Sequence, residues 1–494
     1  MVPKTSEMSE RSAPRSLAPA LAASAVLAAC AWSCGTTDVA VFSLTQGTRE
    51  PDGGSVPEAS LAQDAAPVPQ DQQAFCNGTG PPELLDKTDA GSVVTCPDQL
   101  AQREFRYALC TCGSYVSEGD SHLFTDAFDG SKGAYDAGPA VAGGSVGVNG
   151  DLHPSGPLII NGSLWASNST VITTSSVYVA GELHTQAEMR PATDTAAMPD
   201  ALDVEADAWM AGGLQTTGNV TIKGALHVPA GQPTDVTGTT FNHGATDNMP
   251  FMVQPACDCA PDHLVDVAGI VATYAADNDD DNLKIKSIDL QDVQSDQTVV
   301  LGCGRAFYTY IGASPAAIDL KVQGHVALFV QGDILAGDLI IEVPTGSELD
   351  LFVGGNVTVS GKFMLGDPSN PARARMYVGG ATVNLANAAT IAGNLYAPQA
   401  NLVLGASART TLFGALFVSQ LNASADLTIH YDESILNPSP SRACSAPSSC
   451  AVSCDCSGLA CNSGTCGPCS ENIDCCAPLV CGPQGTCVAA VTPR

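Results

Sequence analysis

One phrase recurs between Ile318 and Asp432 and decides the fold of this chain. It consists of an apolar residue, any residue, glycine, any residue and a second apolar residue. Its copies read Val322-Gln-Gly324-His-Val326, Val330-Gln-Gly332-Asp-Ile334, Val353-Gly-Gly355-Asn-Val357, Val359-Ser-Gly361-Lys-Phe363, Ile391-Ala-Gly393-Asn-Leu395 and Leu412-Phe-Gly414-Ala-Leu416. Alternate residues of a strand point to one face, so each phrase supplies two inward side chains. The glycine suits a bend or a close approach of another backbone.

The recurrence predicts an all-β fold, a right-handed parallel β-helix over residues 143–435, in which each coil buries its apolar side against the next. The phrase is already present at Val148-Asn-Gly150-Asp-Leu152. It lapses twice, and these lapses predict insertions at about 185–213 and 232–300. The second insertion contains a helical pattern that starts behind Asp262 as N-cap.

Charge composition excludes one class of partner. The chain has 494 residues and a formal net charge of −31, from 51 acidic and 20 basic residues. Nucleic acid is disfavoured because its phosphates need Lys and Arg.

The first 29 residues have the basic start and short apolar run of a secretory signal. The run ends Leu27-Ala28-Ala29-Cys30, which resembles the lipobox of bacterial lipoproteins. That resemblance implies cleavage before Cys30, lipidation of its sulfur, and export to the outer membrane and cell surface with the membrane as a partner. The alternative is ordinary signal cleavage, with Cys30 as a disulfide partner. Residues 30–74 then form the lipidated cysteine and a flexible tether.

Twenty cysteines predict an oxidising compartment and disulfide bonds. We expect a cysteine-stapled N-terminal cap at 75–142, with two disulfides among its own cysteines, and another disulfide in the second insertion. Cys34 is left free or intermolecular. The disulfide candidates are Cys76, Cys96, Cys110, Cys112, Cys257, Cys259, Cys303, Cys444, Cys450, Cys454, Cys456, Cys461, Cys466, Cys469, Cys475, Cys476, Cys481 and Cys487.

Residues 444–494 form a separate cysteine-rich module behind a Pro-Ser hinge at 436–443. Its few apolar residues mean that disulfides must replace a core. Its spacing resembles small knottin-like modules, and a zinc cluster is the alternative. We expect this module to be the outward tip of the molecule.

An acidic cluster between residues 277 and 282 is the sharpest polar feature. Asp277, Asp279 and Asp281 offer the hard oxygen ligands that calcium prefers. The alternative is a solvated acidic turn before a strand over 283–288. Apart from this calcium hypothesis, the sequence predicts no cofactor.

No catalytic constellation is visible in the sequence. Acidic residues do not recur at one rung position, and histidines such as His325 and His430 are typical of surface or edge positions. The sequence therefore leans against an enzyme and names no catalytic residue.

The stretches Val378-Gly-Gly380-Ala-Thr-Val-Asn384 and Gly393-Asn-Leu-Tyr396-Ala-Pro398 resemble the C-terminal β-helix of uncharacterised bacterial surface proteins. Some of those proteins are minor-pilin-like, and the domain is common in myxobacterial lipoproteins. A more distant likeness links the glycine-punctuated coils to bactofilins. The resemblance implies a surface-exposed solenoid and no activity.

Three functions remain open from the sequence. The first is a non-enzymatic surface lipoprotein that acts in adhesion, envelope structure or recognition of a glycan or surface protein. The second is a carbohydrate-active β-helix enzyme, either a polysaccharide lyase or a hydrolase. The third is a bactofilin-like self-assembling scaffold.

Overall fold

The computed structural model describes residues 70–77, 104–136, 138, 140–168, 170–192, 200–261, 263–405 and 409–436, and four short strands between 460 and 489. All of them belong to one compact unit, residues 66–494. The predicted fold class is confirmed, because the unit is a β-solenoid whose turns are joined by parallel strand pairs.

The first strands of the solenoid run from residue 109 to residue 247. They are β1 (Leu109–Thr111), β2 (Tyr115–Ser117), β3 (Leu123–Phe128), β4 (Val146–Val148), β5 (Leu152–His153), β6 (Leu158–Ile160), β7 (Leu164–Ala166), β8 (Ile172–Thr174), β9 (Val177–Val179), β10 (Leu183–Thr185), β11 (Met189–Pro191), β12 (Leu202–Val204), β13 (Ala208–Met210), β14 (Leu214–Thr216), β15 (Val220–Ile222), β16 (Leu226–His227), β17 (Thr234–Val236), β18 (Phe241–Asn242) and β19 (Thr246–Asp247).

The second group of strands runs from residue 297 to residue 432. They are β20 (Gln297–Leu301), β21 (Gly304–Tyr308), β22 (Ile311–Ala313), β23 (Ile318–Val322), β24 (His325–Val330), β25 (Ile334–Ala336), β26 (Leu339–Glu342), β27 (Glu348–Val353), β28 (Val357–Val359), β29 (Phe363–Leu365), β30 (Ala374–Val378), β31 (Thr382–Leu385), β32 (Ala389–Ala392), β33 (Asn394–Leu404), β34 (Thr410–Phe413), β35 (Leu416–Ala423) and β36 (Leu427–Asp432).

The described helices are short. They are the α-helices Gln70–Cys76, Val267–Tyr274 and Asp280–Leu283, and the 3-10 helices Pro371–Arg373 and Glu433–Leu436. The side chain of Asp266 caps the second α-helix by accepting from Gly269 N, so the N-cap is not Asp262, which lies outside the described residues. The strand predicted over 283–288 is not formed, because the third helix ends there and Lys284 adopts φ 60°.

The recurring phrase has the structural role that the sequence predicted. Its apolar residues point inward and are fully buried, as at Val353 and Val357. Its glycines lie where successive turns come close. A Cβ at Gly380 would lie 2.2 Å from the carbonyl oxygen of Gly355 one turn away, so only glycine fits.

The turns are not stacked in chain order. Sheet order on one side of the solenoid is β20-β23-β26-β29-β32-β34-β36-β3-β6-β9-β12-β15-β18. The turn at 109–128 therefore lies in the middle, between the last turn of the second group and the first turn that follows it. Parallel pairing joins Leu109 both to Leu416 and to Val146. We call the junction of the turns at 109–128 and 416–432 the seam.

A single connection makes this order possible. After β19 the chain leaves the end of the stack that we call the far end. Residues 248–296, which we call the strap, run back to the near end, where β20 begins. Val253 N bonds Gln186 Oε1 at 2.8 Å, Val265 N bonds Tyr396 Oη at 3.1 Å, and Tyr274 stacks on Phe329 at 4.2 Å.

The strap covers a column of outward residues on one face of the solenoid. The column contains one residue per turn, in the register order Phe307, Phe329, Phe352, Tyr377, Tyr396, Phe417, Cys110, Gly147, Trp165, His184, Trp209, His227 and Asp247. Its first aromatic rings stack at centroid distances of 5.1 Å (Phe329 to Phe352) and 4.7 Å (Phe352 to Tyr377). Outward rings are buried here because the strap lies over them.

Among the described residues, three disulfides join segments that are distant in sequence. Cys110 bonds Cys257 and Cys112 bonds Cys259, so both pins join the strap to the seam turn. The third, Cys76–Cys303, joins the first helix to the near end. The two disulfides expected within the cap are therefore not formed, because Cys76, Cys110 and Cys112 have partners 147 or 227 residues away. The disulfide expected in the second insertion is not formed either, because the three cysteines in or beside it all pair with cysteines of the expected cap.

The predicted boundaries change accordingly. Residues 109–128 of the expected cap form a turn of the solenoid. The expected insertion at 185–213 contains β11, β12 and β13, whose inward residues are buried, so its described residues belong to the stack. The expected insertion at 232–300 begins with β17 to β19, which complete the far-end turn, and only the strap leaves the stack.

The cysteine-rich module contributes two described hairpins. β37 (Ala460–Asn462) pairs antiparallel with β38 (Thr465–Gly467), and β39 (Leu479–Cys481) pairs antiparallel with β40 (Cys487–Ala489). Corresponding cysteines face each other in the two registers, Cys461 with Cys466 and Cys481 with Cys487. The two hairpins therefore share one backbone arrangement, with a cysteine pair at facing positions in each.

Candidate recognition surface

The candidate calcium ligands are spread over different surroundings. Asp279 is buried, and its Oδ2 accepts from Arg305 N at 2.8 Å. Asp277 and Asp281 are exposed. Within the described ranges, no group of three or more His, Cys, Asp or Glu side chains is arranged to hold a metal ion.

Asp280 lies inside the same cluster and is half-buried. Its Oδ1 accepts from Phe307 N at 2.8 Å. Burial raises the pKa of Asp280 to about 6. The hydrogen bond from Phe307 N lowers this pKa, whereas the nearby carboxylates of Asp281, Asp279 and Asp289 raise it further. The described contacts of Asp279 and Asp280 therefore fasten the strap to β21.

A second cluster of ionisable groups crosses the seam. His430 Nδ1 lies 2.6 Å from Asp126 Oδ1, and Tyr135 Oη donates to Asp126 Oδ2 at 2.8 Å. The Tyr135 and His430 rings stack at 3.8 Å. Burial and the Asp126 carboxylate raise the pKa of Tyr135. His430 thus lies in a paired, nearly buried site that joins the two halves.

The third cluster lies beneath the first helix. Arg375 binds both oxygens of Asp350, at 2.5 Å and 2.8 Å, and also Glu348 at 2.7 Å. Burial alone would raise the pKa of Asp350, but Arg375 and His325 overcome it and hold that pKa well below its usual range. His325 also stacks on Phe75 at 4.1 Å. These groups therefore fasten the first helix and neighbouring turns.

The outward column continues toward the far end as alternating indole and imidazole rings. Trp165 stacks on His184 at 3.6 Å, and Trp209 stacks on His227 at 3.5 Å. His184 Nε2 lies 2.9 Å from Glu182 Oε2, whereas His227 Nδ1 lies 3.4 Å from Asp247 Oδ2. Burial lowers the pKa of His184 against the opposing effect of Glu182.

Apolar side chains at the far end are exposed beside this column. Met249 is 68% exposed and Met252 is 75% exposed. Phe251 lies between them in the chain and packs edge-on against Trp209 at 5.3 Å. We call these four residues the far-end patch. Asp247 supports it, because Met249 N donates to Asp247 Oδ1 at 3.0 Å.

Lys and Arg are absent from the segment of the chain that carries Met249, Phe251 and Met252. Between Lys223 and Lys284 the sequence contains no Lys or Arg, and its charged residues there are all aspartates. The surface formed by the far-end turn and the strap therefore combines exposed apolar groups with negative charge. Such exposed apolar groups mark interaction sites more often than isolated surface residues do.

Sequence reasoning missed the column and the patch. A signal was present, because Trp165, His184 and His227 each follow a phrase glycine by three residues. That offset places all three at the same outward position of successive strands. The exposure of Met249 and Met252 has no comparable signal, since it depends on where the strap leaves the stack.

Several predicted features lie outside the described residues. They are the signal at 1–29, the lipidation site Cys30, the tether up to residue 69, the candidate Cys96, and the hinge from residue 437. The same holds for the side chains of the C-terminal cysteine candidates. Among the helices of the described ranges, none is long and apolar enough to cross a membrane.

The fold and these contacts define a disulfide-pinned β-solenoid. Residues 259–437 match the family model of a domain of unknown function (DUF7305). The match begins at the strap cysteine Cys259 and ends just after the seam. No curated protein matches the chain, and no solved structure matches it either.

Proposed function

We propose that the protein is an exported, non-enzymatic lipoprotein of the outer membrane and cell surface, with a solenoid that recognises a partner. The observation that carries this proposal is the set of three disulfides that join segments 147 or more residues apart. Such bonds persist in oxidising compartments. The signal and lipobox pattern before Cys30 supplies the route.

The contacts of the buried ionisable groups support a binding role over catalysis. Asp279 bonds backbone and an arginine, Asp350 bonds an arginine, and Asp126 bonds a histidine and a tyrosine. Each contact holds the strap, the first helix or the seam in place. Groups used in this way stabilise the fold and are not aimed into a common cleft.

The structure of the two ends of the stack favours a single solenoid over a self-assembling filament. At the far end the inward positions that hold Leu214 and Leu226 one turn earlier are taken by exposed Thr234 and Thr246. At the near end the strap covers the core, and Gly312 N donates to Leu290 O at 2.8 Å. The two threonines at the far end and the strap along β22 at the near end both oppose end-to-end association.

The proposal is tested by labelling and fractionation in a Gram-negative host. We expect the wild-type chain to incorporate a labelled fatty acid and to reach the outer membrane. Cys30→Ser should lose the label, whereas the matched control Cys34→Ser should keep it. Equal labelling of both variants would overturn the lipid anchor.

A second arm addresses recognition against turnover. The purified protein is incubated with a polysaccharide panel, with and without calcium, and both binding and product are measured. Saturable binding without product supports recognition of a glycan. Product formation would overturn the non-enzymatic proposal.

A further inference from the structure

We propose that the far-end patch (Trp209, Met249, Phe251 and Met252) is a docking surface for a basic polypeptide that carries apolar side chains. The proposal deepens the recognition function above, because it assigns the surface and the chemistry of the partner. It depends on the geometry of the patch and not on the lipid anchor.

Exposure of the patch is the first step of the argument. Among the described residues only five large apolar side chains are strongly exposed, and two of them are Met249 and Met252. They flank Phe251, which is itself in contact with Trp209. Methionine adapts its unbranched side chain to irregular apolar surfaces, and Trp, Phe and Met are enriched where proteins bind proteins.

Charge selects the partner. The sequence between residues 224 and 283, which includes the far-end turn and most of the strap, has aspartates and no Lys or Arg. Asp247 lies directly beneath the patch through its bond with Met249 N. An anionic membrane surface or a nucleic acid would be repelled, whereas a basic polypeptide is attracted.

Ring geometry favours a polypeptide over a glycan. Sugars bind aromatic residues on the ring face, but the face of Trp209 is already stacked on His227 at 3.5 Å, nearly parallel at 6°. On its other side His184 lies parallel to the indole at 6.0 Å. Phe251 meets Trp209 edge-on, at 88°. The patch therefore offers ring edges and thioethers, which suit apolar side chains.

The test compares two synthetic peptides of equal charge on the mature chain carrying Cys30→Ser. One peptide alternates Lys and Leu, and the other alternates Lys and Ser. We expect the Lys-Leu peptide to bind at least about tenfold more tightly than the Lys-Ser peptide. Added salt should weaken both, because the aspartates contribute to each.

Matched variants locate the binding. The double substitution Met249→Ser and Met252→Ser should reduce Lys-Leu binding to the level of the Lys-Ser peptide. The control, Ile288→Ser with Val300→Ser, removes two other exposed apolar side chains outside the patch and should leave binding unchanged. All four residues are exposed, so folding is preserved and is checked by circular dichroism.

Three results would overturn the proposal. Equal binding of the two peptides would show diffuse electrostatic attraction, and equal loss in both variants would remove the patch as the site. Binding of a panel glycan that the methionine variant loses, without peptide binding, would assign the patch to carbohydrate. Failure of the lipid-labelling experiment would leave this test unaffected, so the two failures are distinguishable.

Discussion

Replacing Asp280 by asparagine should stabilise the protein at neutral pH and not at acidic pH. Asp280 is half-buried beside three other carboxylates, and its folded-state pKa is about 6, compared with 3.8 for the ordinary group. A raised pKa means that the folded state binds the proton more tightly than the unfolded state. The contribution of Asp280 to the free energy of unfolding of the wild type must therefore fall as pH rises from about 4 to about 6.

The magnitude follows from the same two values. The pKa difference corresponds to about 3 kcal/mol if it is taken in full. Since Asp280 is half exposed, solvent screening reduces the expected effect to about 1 kcal/mol. Asparagine keeps an oxygen that can accept from Phe307 N, so the substitution removes the charge and preserves the hydrogen bond.

Urea unfolding followed by circular dichroism between about pH 4 and about pH 8 measures the effect. The two proteins should have equal midpoints near pH 4, and the wild type should lose stability relative to the variant between about pH 4 and about pH 6, with a constant difference above that range. Asp292→Asn makes the same charge change at an exposed strap position and should show no such dependence. A variant that is less stable than the wild type at neutral pH would refute the reasoning.

The same experiment examines the calcium hypothesis. If Asp277, Asp279 and Asp281 bind calcium, millimolar calcium must raise the midpoint of the wild type, because a ligand stabilises the state that binds it. Asp281→Asn should then abolish the increase. The observed burial of Asp279 against Arg305 leads us to expect equal midpoints in calcium and in chelator.

Three further perturbations test the disulfide, the close glycine contact and the buried ion pair that hold the fold together. Cleaving an engineered protease site after residue 276 should leave the pieces joined on a non-reducing gel through Cys76–Cys303, and Cys303→Ser should release them. Gly147→Val should push the strap away, since a Cβ there would lie 2.8 Å from the Cβ of Ala256, and mass spectrometry after alkylation should then detect free thiols. Asp350→Asn should lower the free energy of unfolding in urea by about 3 kcal/mol at pH 7, because the buried guanidinium of Arg375 loses one of its carboxylate partners. The lowered pKa of Asp350 means that its contribution is present above the unfolded pKa and is lost as pH falls below about 4, where the difference should shrink.

For each of these three perturbations, one result would contradict the prediction. Release of the two pieces without reduction would show that Cys76 pairs elsewhere. Unchanged thiol content in the glycine variant would mean that the strap tolerates a side chain beneath it. A constant difference between wild type and Asp350→Asn down to about pH 2 would show that this carboxyl does not titrate as its surroundings dictate.

The stacking unit could be predicted from the sequence, because every phrase encodes its own local geometry. Inward Val353 and Val357 and the close approach at Gly380 need no knowledge of which turn lies next to which. The same locality explains the boundary errors. Leu109-Cys-Thr111 lacks the glycine of the phrase, so the sequence did not identify it as part of a turn of the solenoid, although Leu109 and Thr111 are fully buried.

The order of the turns could not be predicted, because the parallel edges of different turns are chemically similar. What selects the seam is a set of contacts between residues about 300 positions apart, such as His430 with Asp126 and Tyr431 Oη with Phe105 O. Disulfide partners follow from that order. Cys110 meets Cys257 only because the strap runs back over the seam.

The match to DUF7305 has a structural consequence at the seam. Residues 259–437 contain β20 to β36 and the part of the strap that covers them. In this chain the last edge of that region, at β35 and β36, is completed by β1 to β3, which precede it in sequence. An uncovered parallel edge would present unpaired backbone groups and the inward face of Leu416 and Leu427 to solvent. The turn at 109–128, with its two disulfide bonds to the strap, therefore covers the open edge of the matched region. The turns up to the far end stack on the other edge of the turn at 109–128.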